Sequence, residues 1–323
     1  MLLANPFKLA EIGLLGMNER NNYISRYNKR SLYPLVDDKL KTKLLAERTG
    51  LAAPKMLGVI REQHEVDFEL PQLLENLTAF VIKPSRGSGG KGIKVVTSRR
   101  DDSFIKSSGE EVSKADISRH VSNILSGLYS LGGKPDVAMI EALVLMDPRF
   151  DKLSYEGIPD IRIIVFKGYP VMSMMRLATH LSDGKANLHQ GAVGVGLDLS
   201  NGHALFAVQH NRPITIHPDT GEAFSQLQIP HWHELMRLAA SCYEITGLGY
   251  LGADIVIDQQ RGPLIMELNA RPGLSIQIAN NTGLRPRLRA VEAIMNELRP
   301  VEERVLFSMA NFAPTAGENL ATA

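Results

Sequence analysis

The stretch that most constrains the fold runs from Gly252 to Gly273 and reads GADIVIDQQRGPLIMELNARPG. Apolar residues on both sides of a polar run predict two short antiparallel strands joined by a turn. With the turn centred between Gln260 and Arg261, the expected cross-strand pairs are Ala253–Leu268, Ile255–Met266 and Ile257–Leu264 on one face, and Gly252–Asn269, Asp254–Glu267 and Val256–Ile265 on the other. The first face is wholly apolar, which predicts that it lies on a core.

The second face of this hairpin brings together oxygen ligands. Asp254 and Glu267 stand directly across the ladder, roughly 5 Å apart, where like charges repel unless a cation lies between them. Magnesium is usually held by one or two carboxylates together with water and substrate phosphates, which suits Asp254, Glu267 and Asn269 on an open strand face. A solvated acidic face without an ion is the alternative reading of the hairpin alone.

Composition is that of a soluble enzyme. The 323 residues leave room for two or three domains, and 44% hydrophobic with 22% charged residues is ordinary for a chain with a sizeable core. A formal net charge of +1 without a block of Lys and Arg predicts neither a nucleic-acid partner nor an anionic membrane surface. No apolar run reaches the ~20 residues that span a bilayer, and the start lacks a signal-peptide pattern. We therefore expect a cytoplasmic protein, and its single cysteine, Cys242, cannot form an intrachain disulfide.

A glycine-rich segment, SRGSGGKG at residues 85–92, separates the apolar strand AFVIKP from a further strand at 93–96. Its spacing satisfies GxGxxG, but no helix follows, as a dinucleotide site requires, and no Gly-Lys-Ser/Thr opens one, as a P-loop requires. A glycine flap between antiparallel strands can instead close its backbone N–H groups over phosphates. No HRD or DFG motif follows, which argues against a protein kinase. The alternative is a flexible hairpin turn.

Charged residues inside apolar segments are further candidates. Glu141 is the one acid in the strand-like run VAMIEALVL, and a lone buried carboxylate needs a partner. Arg162 and Arg176 lie on the two strands of a predicted hairpin, where arginines face either solvent or a bound anion.

Other polar segments favour ordinary structural roles. Lys39, Lys41 and Lys43 stand near the start of a predicted helix, where the dipole disfavours them, so they indicate either a nearby anion or a solvated face. Taken alone, the solvated face is favoured. Residues 98–112 are predicted to be a loop, and His189, in a glycine-flanked loop, is more typical of a structural hydrogen bond than of catalysis.

Taken in order, seven motifs resemble those of the ATP-grasp superfamily. Within it the chain is similar to ribosomal-protein glutamate ligases and their α-L-glutamate ligase-like relatives. The motifs are Asp38-Lys39-Leu40 with Lys43-Leu44-Leu45, Val81-Ile82-Lys83-Pro84, the flap at 85–92, Ile140-Glu141-Ala142, Asp160-Ile161-Arg162, Asn187-Leu188-His189-Gln190-Gly191, and Asp254 with Glu267-Leu268-Asn269. They cover about residues 37–300, and their shared order makes coincidence improbable.

The resemblance implies an α+β ATP-grasp fold in which two α+β subdomains clasp ATP between antiparallel sheets. We expect an N-terminal arm at 1–36, a central subdomain with the flap at 37–141, a C-terminal subdomain with the metal hairpin at 142–310, and a flexible tail at 311–323. The family normally places a whole α/β domain where this chain has the arm. We therefore expect a truncated N-terminal region, with part of the usual substrate wall supplied by a homo-oligomer or a partner protein.

The resemblance also implies a role for each motif residue. The nucleotide-binding candidates are Lys39 and Lys83 on the phosphates, Ser88, Gly89 and Gly90 in the flap above them, and Glu141 with the backbone of Ala142 and Leu143 at the adenine. The metal candidates are Asp254, Glu267 and Asn269, which are expected to hold two Mg²⁺ ions, with Mn²⁺ as the alternative ion. The ribose-binding acid stays open between Asp147 and Asp151.

The catalytic candidates are Arg162, Arg176, Asn187 and Arg271, which we expect at the transferred phosphoryl group and the acceptor carboxylate. Two departures bear on the substrate. Lys185 stands where glutamate ligases tend to have arginine, and Arg271 follows the Asn269 pair where a small residue is common. Both leave the identity of the substrate open.

The implied function is an ATP-dependent carboxylate–amine ligase that works through an acyl phosphate and releases ADP and phosphate. Its substrates would be a small-molecule carboxylate and amine, with L-glutamate the first candidate, or a peptide or protein terminus. The rival hypotheses are a phosphotransferase of the same fold and a non-catalytic nucleotide-binding subunit of a partner complex.

Overall fold

The computed structural model describes residues 11–87, 89–297 and 299–314. Its helices are α1 (Met17–Tyr27), α2 (Pro34–Asp37), α3 (Lys39–Thr49), α4 (Gln63–Glu75), α5 (Lys114–Leu125), α6 (Trp232–Thr246), α7 (Ser275–Ala279), α8 (Arg285–Ile294) and α9 (Val301–Asn311). Its strands are β1 (Met56–Ile60), β2 (Phe80–Pro84), β3 (Lys94–Arg100), β4 (Ser103–Lys106), β5 (Glu111–Ser113), β6 (Ala138–Ala142), β7 (Asp160–Phe166), β8 (Tyr169–Leu177), β9 (Val193–Leu197), β10 (Ala204–Gln209), β11 (Arg212–Pro213), β12 (Tyr250–Asp258) and β13 (Gly262–Asn269).

The chain forms two compact units. The flap unit comprises residues 37–48 and 53–145, and the hairpin unit comprises the described parts of 1–36, 49–52 and 146–323. Each unit is built on one antiparallel sheet, as an α+β chain requires.

The flap unit has a six-stranded sheet in the order β1-β6-β2-β3-β4-β5. Helices α4 and α5 pack together, and their buried faces share one core with the sheet, centred on Phe80, Ile82 and Ile117. Residues 98–112, predicted to be a loop, instead belong largely to β3, β4 and β5. That prediction was wrong because only Phe104 and Val112 point inward, so these edge strands show little apolar alternation.

The hairpin unit has a seven-stranded sheet in the order β11-β10-β9-β8-β7-β12-β13. Strands β7, β8 and β12 are almost fully buried, as expected for central strands covered by helices. Helix α6 packs on this sheet and ends at Gly247, which takes the left-handed conformation of a C-terminal cap. Cys242 on this helix is fully buried, and burial raises the pKa of its thiol.

The register of the β12–β13 hairpin changes at Met266. The predicted pairs Gly252–Asn269, Ala253–Leu268 and Asp254–Glu267 are confirmed. The predicted pairs nearer the turn are wrong, because a β-bulge at Met266 shifts them to Ile255–Ile265, Val256–Leu264 and Ile257–Pro263. The extra residue turns Ile265 rather than Met266 toward the core of the unit.

The arm packs within the hairpin unit. Tyr23 and Tyr27 of α1 meet the ring of Phe166 edge-on, with centroid distances of 5.5 and 4.9 Å. Asn28, which is buried, donates from Nδ2 to the carbonyl oxygens of Tyr250 (2.7 Å) and Ala270 (3.2 Å) and accepts from the Tyr250 N–H (2.8 Å). The arm is thereby tied to the base of the β12–β13 hairpin.

The described chain ends three residues after α9, so most of the predicted tail, residues 315–323, lies outside the described residues. None of the helices described is both long enough and apolar enough to cross a bilayer.

Candidate active site

One face of the hairpin unit's sheet carries most of the predicted metal and catalytic residues. Asp254 on β12 pairs with Glu267 on β13 and with Arg162 on β7. Directly opposed residues share a face, so these three side chains form a row across three strands. Asn269 lies two residues beyond Glu267 on the same face. Asp160 lies two residues before Arg162 on that face and pairs with Arg176. We call these six side chains the charged face.

Asp254 is held by two arginines. Arg162 donates from Nε to Oδ1 at 2.7 Å and from Nη2 to Oδ2 at 2.5 Å, and Arg176 donates from Nη2 to Oδ2 at 2.9 Å. Arg176 also forms a bidentate pair with Asp160, with both distances 2.5 Å. Asn269 Nδ2 lies 3.4 Å from Oδ2 of Asp254. The arginines and aspartates therefore form one continuous network of charge-assisted hydrogen bonds.

The network separates the pKa values of its two aspartates. Burial alone would raise the pKa of Asp254, but the guanidinium groups of Arg176 and Arg162 outweigh burial and lower it to about 2. Burial raises the pKa of Asp160, and Arg176 offsets only part of that rise. Although burial disfavours a charged guanidinium, Asp160 and Asp254 raise the pKa of Arg176. Asp254 and Arg176 are therefore charged at neutral pH.

The chemistry of the donor set fits a magnesium ion. Two carboxylates and an amide oxygen on one strand face are the hard oxygen ligands that Mg²⁺ takes. Among the described residues no group of three or more His, Cys, Asp or Glu side chains could hold a metal, and the predicted set has two acids and one amide. Both oxygens of Asp254 are engaged by arginine, so an ion bound there would share the carboxylate with Arg162 and Arg176 or displace them. Asp254, Glu267 and Asn269 remain predicted ligands.

The flap unit buries a second charged group, the lysine–glutamate cluster of Lys43, Lys83 and Glu141. Lys83 Nζ lies 2.7 Å from Oε2 of Glu141, and Lys43 Nζ lies 3.1 Å from Oε1. Lys83 and Glu141 are diagonal neighbours on β2 and β6, because Glu141 stands opposite Val81. Glu141, predicted to need a partner, thus has two.

Lys43 corrects one prediction. Its side chain is 5% exposed, so the solvated face predicted for the lysines of α3 is wrong at this position. Lys43 Nζ also donates to the carbonyl of Pro54 at 3.0 Å. Burial lowers the pKa of Lys43 to about 8, although Glu141 opposes that shift. The only indication of this pairing in the sequence was Glu141, a single acid in an apolar strand that needs a positively charged partner.

The base of the flap is fixed by hydrogen bonds. Lys39 Nζ donates to the carbonyl of Gly87 at 2.8 Å, and the Lys39 N–H donates to the carbonyl of Ser85 at 3.0 Å. The Arg86 N–H donates to both carboxylate oxygens of Asp136, at 3.0 and 3.2 Å. Lys39 therefore lies against the flap that the motif order predicts to cover phosphates.

The tip of the flap is more open. Gly89 and Gly90 have positive φ angles of 62° and 76°, and a Cβ at either position would meet nothing within 4 Å. Ser88, predicted to bind phosphate with them, lies outside the described residues. Their role as phosphate-binding residues stays a prediction, as does the role of Ala142 and Leu143 at the adenine.

The other two catalytic candidates, Asn187 and Arg271, make contacts of their own. Asn187 accepts from the His189 N–H at 3.0 Å and so caps a short 3₁₀ turn. Arg271 stacks over the ring of Tyr33, with its guanidinium carbon 5.0 Å from the centroid. Sequence reasoning missed the partnership of Asp160 with Arg176, for which the only signal was its place in the Asp160-Ile161-Arg162 motif.

The two candidates for the ribose-binding acid differ in surroundings. Asp147 is buried and forms a bidentate pair with Arg149, at 2.9 and 2.6 Å, and the hydrogen bond from that side chain lowers the pKa of Asp147. Asp151 is exposed. The choice between them stays open.

The chain has two antiparallel sheets. One leads into a glycine flap and the other carries the opposed acids Asp254 and Glu267. This arrangement is that of the ATP-grasp class of proteins. A family model described as sugar-transfer associated ATP-grasp matches residues 18–293. The chain belongs to this family, and the predicted superfamily and fold class are confirmed. The closer similarity to glutamate ligases stays a prediction.

Several solved structures are similar to this chain. PsnB, an ATP-grasp ligase complexed with a minimal precursor, is 13% identical with a TM-score of 0.47, over 84% of this chain and 63% of that one. D-cycloserine synthetase DcsG is 13% identical with a TM-score of 0.47, over 91% and 82%. D-alanine–D-alanine ligase from Bacillus anthracis, complexed with ATP, is 12% identical with a TM-score of 0.44, over 86% and 67%. This chain therefore spans less than two thirds of the PsnB chain. A search of the curated proteins found no match.

Proposed function

We propose that this protein is an ATP-dependent ligase that joins a carboxylate to an amine through an acyl phosphate. The observation that carries the proposal is the charged face, where Asp254 opposes Glu267 and is bound by Arg162 and Arg176. Membership of the ATP-grasp family supports the nucleotide as the phosphoryl donor.

The reaction has two steps. A carboxylate oxygen of the substrate attacks the γ-phosphorus of ATP, the bond from that phosphorus to the β–γ bridging oxygen breaks, and ADP leaves. An unprotonated amine then attacks the acyl carbon, the acyl–oxygen bond breaks, and phosphate leaves as the amide forms. The amine gives up a proton to solvent or phosphate. No side chain need form a covalent bond with the substrate.

The charged groups of the chain stabilise this transfer by position. Arg162 and Arg176, with fixed charges on a buried sheet face, would bind the oxygens of the transferred phosphoryl group and of the acceptor carboxylate. Magnesium, when held by Asp254, Glu267 and Asn269, supplies positive charge that offsets the triphosphate. Lys39 lies at the flap and would contact phosphate oxygens there.

In the flap unit the lysine–glutamate cluster prepares the nucleotide site. Glu141 shares its charge between two lysines, so Lys83 can turn toward a phosphate while Lys43 keeps Glu141 from being a buried unpaired charge. Closure of the flap over the phosphates would exclude water, which would otherwise hydrolyse the acyl phosphate.

The description of the family as sugar-transfer associated supports a search among saccharide carboxylates as well as L-glutamate. The test is a screen of carboxylates with candidate amines for ADP and phosphate release, with mass spectrometry of the products. We expect equal amounts of ADP and phosphate and a new amide. ADP with a phosphorylated product and no free phosphate would instead support the phosphotransferase hypothesis.

The matched variant is Glu267→Gln, which keeps the size of a predicted metal ligand and removes its charge. We expect turnover to fall by roughly 10²-fold or more, with the fold intact because Glu267 lies outside the core. Glu75→Gln, the same change at an exposed acid of α4, should retain full activity. Full activity in Glu267→Gln would contradict the proposal.

A further inference from the structure

A cavity of about 580 Å³ opens in the hairpin unit, between the arm and the segment that follows β13. Its volume lies within the ~300–1,000 Å³ typical of small-molecule sites. Its lining includes Asn21, Ile24, Asn28, Arg30, Tyr33 and Arg271. We call it the arm cavity. It is lined on one side by α1 and the residues that follow it.

The charges of the lining point to an anion. Arg30 and Arg271 both line the arm cavity, and none of the described residues that line it is acidic. Arg30 is exposed, and in the described part of the chain its side chain makes no ion pair. Paired guanidinium groups bind carboxylates with planar, directed hydrogen bonds. A free α-amino acid also carries an ammonium group, for which this lining offers no carboxylate.

Tyr33 positions one of these arginines. The Arg271 guanidinium lies over its ring, with the carbon 5.0 Å from the centroid. Stacking on an aromatic face fixes the plane of the guanidinium group and so sets its orientation in the cavity. The lining thus combines charge, an aromatic side chain and the amide of Asn21, a mixture suited to a ligand with hydroxyl groups, apolar C–H faces and one carboxylate.

Hydrogen bonds join the arm to the segment that follows β13. Asn28 is tied to Ala270, and Arg20 Nη1 donates to the carbonyl of Pro272 at 3.2 Å. These contacts fix the backbone on both sides of Arg271. Arg271 follows Asn269 by two residues, so their Cα atoms are at most ~7 Å apart. Arg271 and the predicted metal ligand Asn269 therefore belong to the same end of the β12–β13 hairpin.

We propose that the arm cavity binds the carboxylate substrate, and that this substrate is an acidic saccharide, a sugar unit bearing a carboxylate group. The inference rests on the proposed function and names its substrate class. It gives the arm a specific role, which is to form one wall of the substrate site.

Binding of methyl β-D-glucuronide to the full chain, followed by calorimetry or ligand-observed NMR, tests the inference. Methyl β-D-glucoside lacks only the carboxylate and should bind at least roughly tenfold more weakly. L-Glutamate tests whether a carboxylate without a sugar suffices, and it should also bind more weakly. Equal binding of the glucuronide and the glucoside, equal binding of glutamate, or no binding of the glucuronide would overturn the inference.

The variants Arg30→Gln and Arg271→Gln should each weaken glucuronide binding by roughly tenfold or more. Arg26→Gln is the matched control, because Arg26 lies on the same arm, is 69% exposed and lines a different cavity. Equal loss in all three variants would indicate a general charge effect and overturn the inference.

The same preparations separate this inference from the proposed function. ATP binding should be unchanged in Arg30→Gln, since no nucleotide contact is assigned to it. ATP-dependent phosphate release with another carboxylate, but no glucuronide binding, would overturn the saccharide inference and leave the ligase standing. Absence of carboxylate-dependent ADP release with any acid would overturn the ligase, whatever the cavity binds.

Discussion

Both units contain buried charges that have partners. Lys83 and Lys43 share Glu141, and Arg162 and Arg176 share Asp254. Breaking a buried pair by removing one partner usually costs more than the pair itself contributes, because the other charge stays desolvated. Substitution of either partner therefore tests both the function of the site and the stability of the fold.

Lys43 predicts a dependence of stability on pH. Its pKa is lowered from 10.5 to about 8 in the folded chain, so between these values the unfolded chain holds more protons than the folded one. The free energy of unfolding therefore rises with pH across that window. Burial of the charged Lys43 destabilises the folded chain most below pH 8. Between pH 8 and 9.5 we expect wild type to gain about 2 kcal/mol relative to Lys43→Met, measured by urea unfolding. Lys41→Met on the same helix, an exposed lysine, should show no such gain.

Asp160 is expected to act by positioning Arg176. Asp160→Asn removes the charge that holds this guanidinium by two hydrogen bonds, so the arginine loses its fixed orientation. We expect kcat to fall roughly 10- to 100-fold while KM for ATP stays unchanged. Asp183→Asn, at an exposed acid paired with Lys185, is the control. An unchanged kcat in Asp160→Asn would mean that Asp254 alone orients Arg176.

The flap and the β12–β13 hairpin depend on different features of the sequence. Glycines shape the flap, and a larger residue would fit at some of these glycine positions but would clash at others. Gly92 has a φ of 76°, its Cβ would lie 2.5 Å from the ring of Tyr129, and its carbonyl lies 3.0 Å from Nε2 of His120. Gly89 has a φ of 62° but faces open space.

Two matched substitutions test this difference. Gly89→Ala should cost about 1 kcal/mol, since only the left-handed conformation is strained. Gly92→Ala adds a steric clash with Tyr129 and should cost roughly 2–4 kcal/mol. Chemical unfolding measures both costs. Equal costs would mean that the Tyr129 ring moves aside without loss.

The hairpin shows what sequence patterns can predict. The Asp254–Glu267 pair follows from alternation and a turn position, and it is confirmed. The bulge at Met266 was not predictable, because a single inserted residue leaves the apolar alternation almost unchanged. The pairing of Asp254 with Arg162, which are far apart in the chain, depends on β7 lying beside β12, and no local pattern encodes that order.

At the scale of the whole molecule, the order of motifs was informative where composition was not. Composition excluded a strongly charged or fibrous protein, whereas the seven motifs indicated the ATP-grasp fold. The burial of Lys43 escaped prediction because the leucines of α3 indicate a different inner face: Leu40 is buried beside Lys43, but Leu44 is exposed. The role of the arm also escaped prediction, since it depends on Asn28 binding the backbone at Tyr250 and Ala270.

The proposed ligase chemistry depends on activation of a substrate carboxylate as an acyl phosphate. A carboxylate labelled with ¹⁸O, followed by mass spectrometry of the released phosphate, detects this intermediate. We expect one ¹⁸O to pass from the carboxylate to each phosphate, and Glu267→Gln to release almost no phosphate. Phosphate that carries no label, formed at the same rate as ADP, would rule out the acyl phosphate.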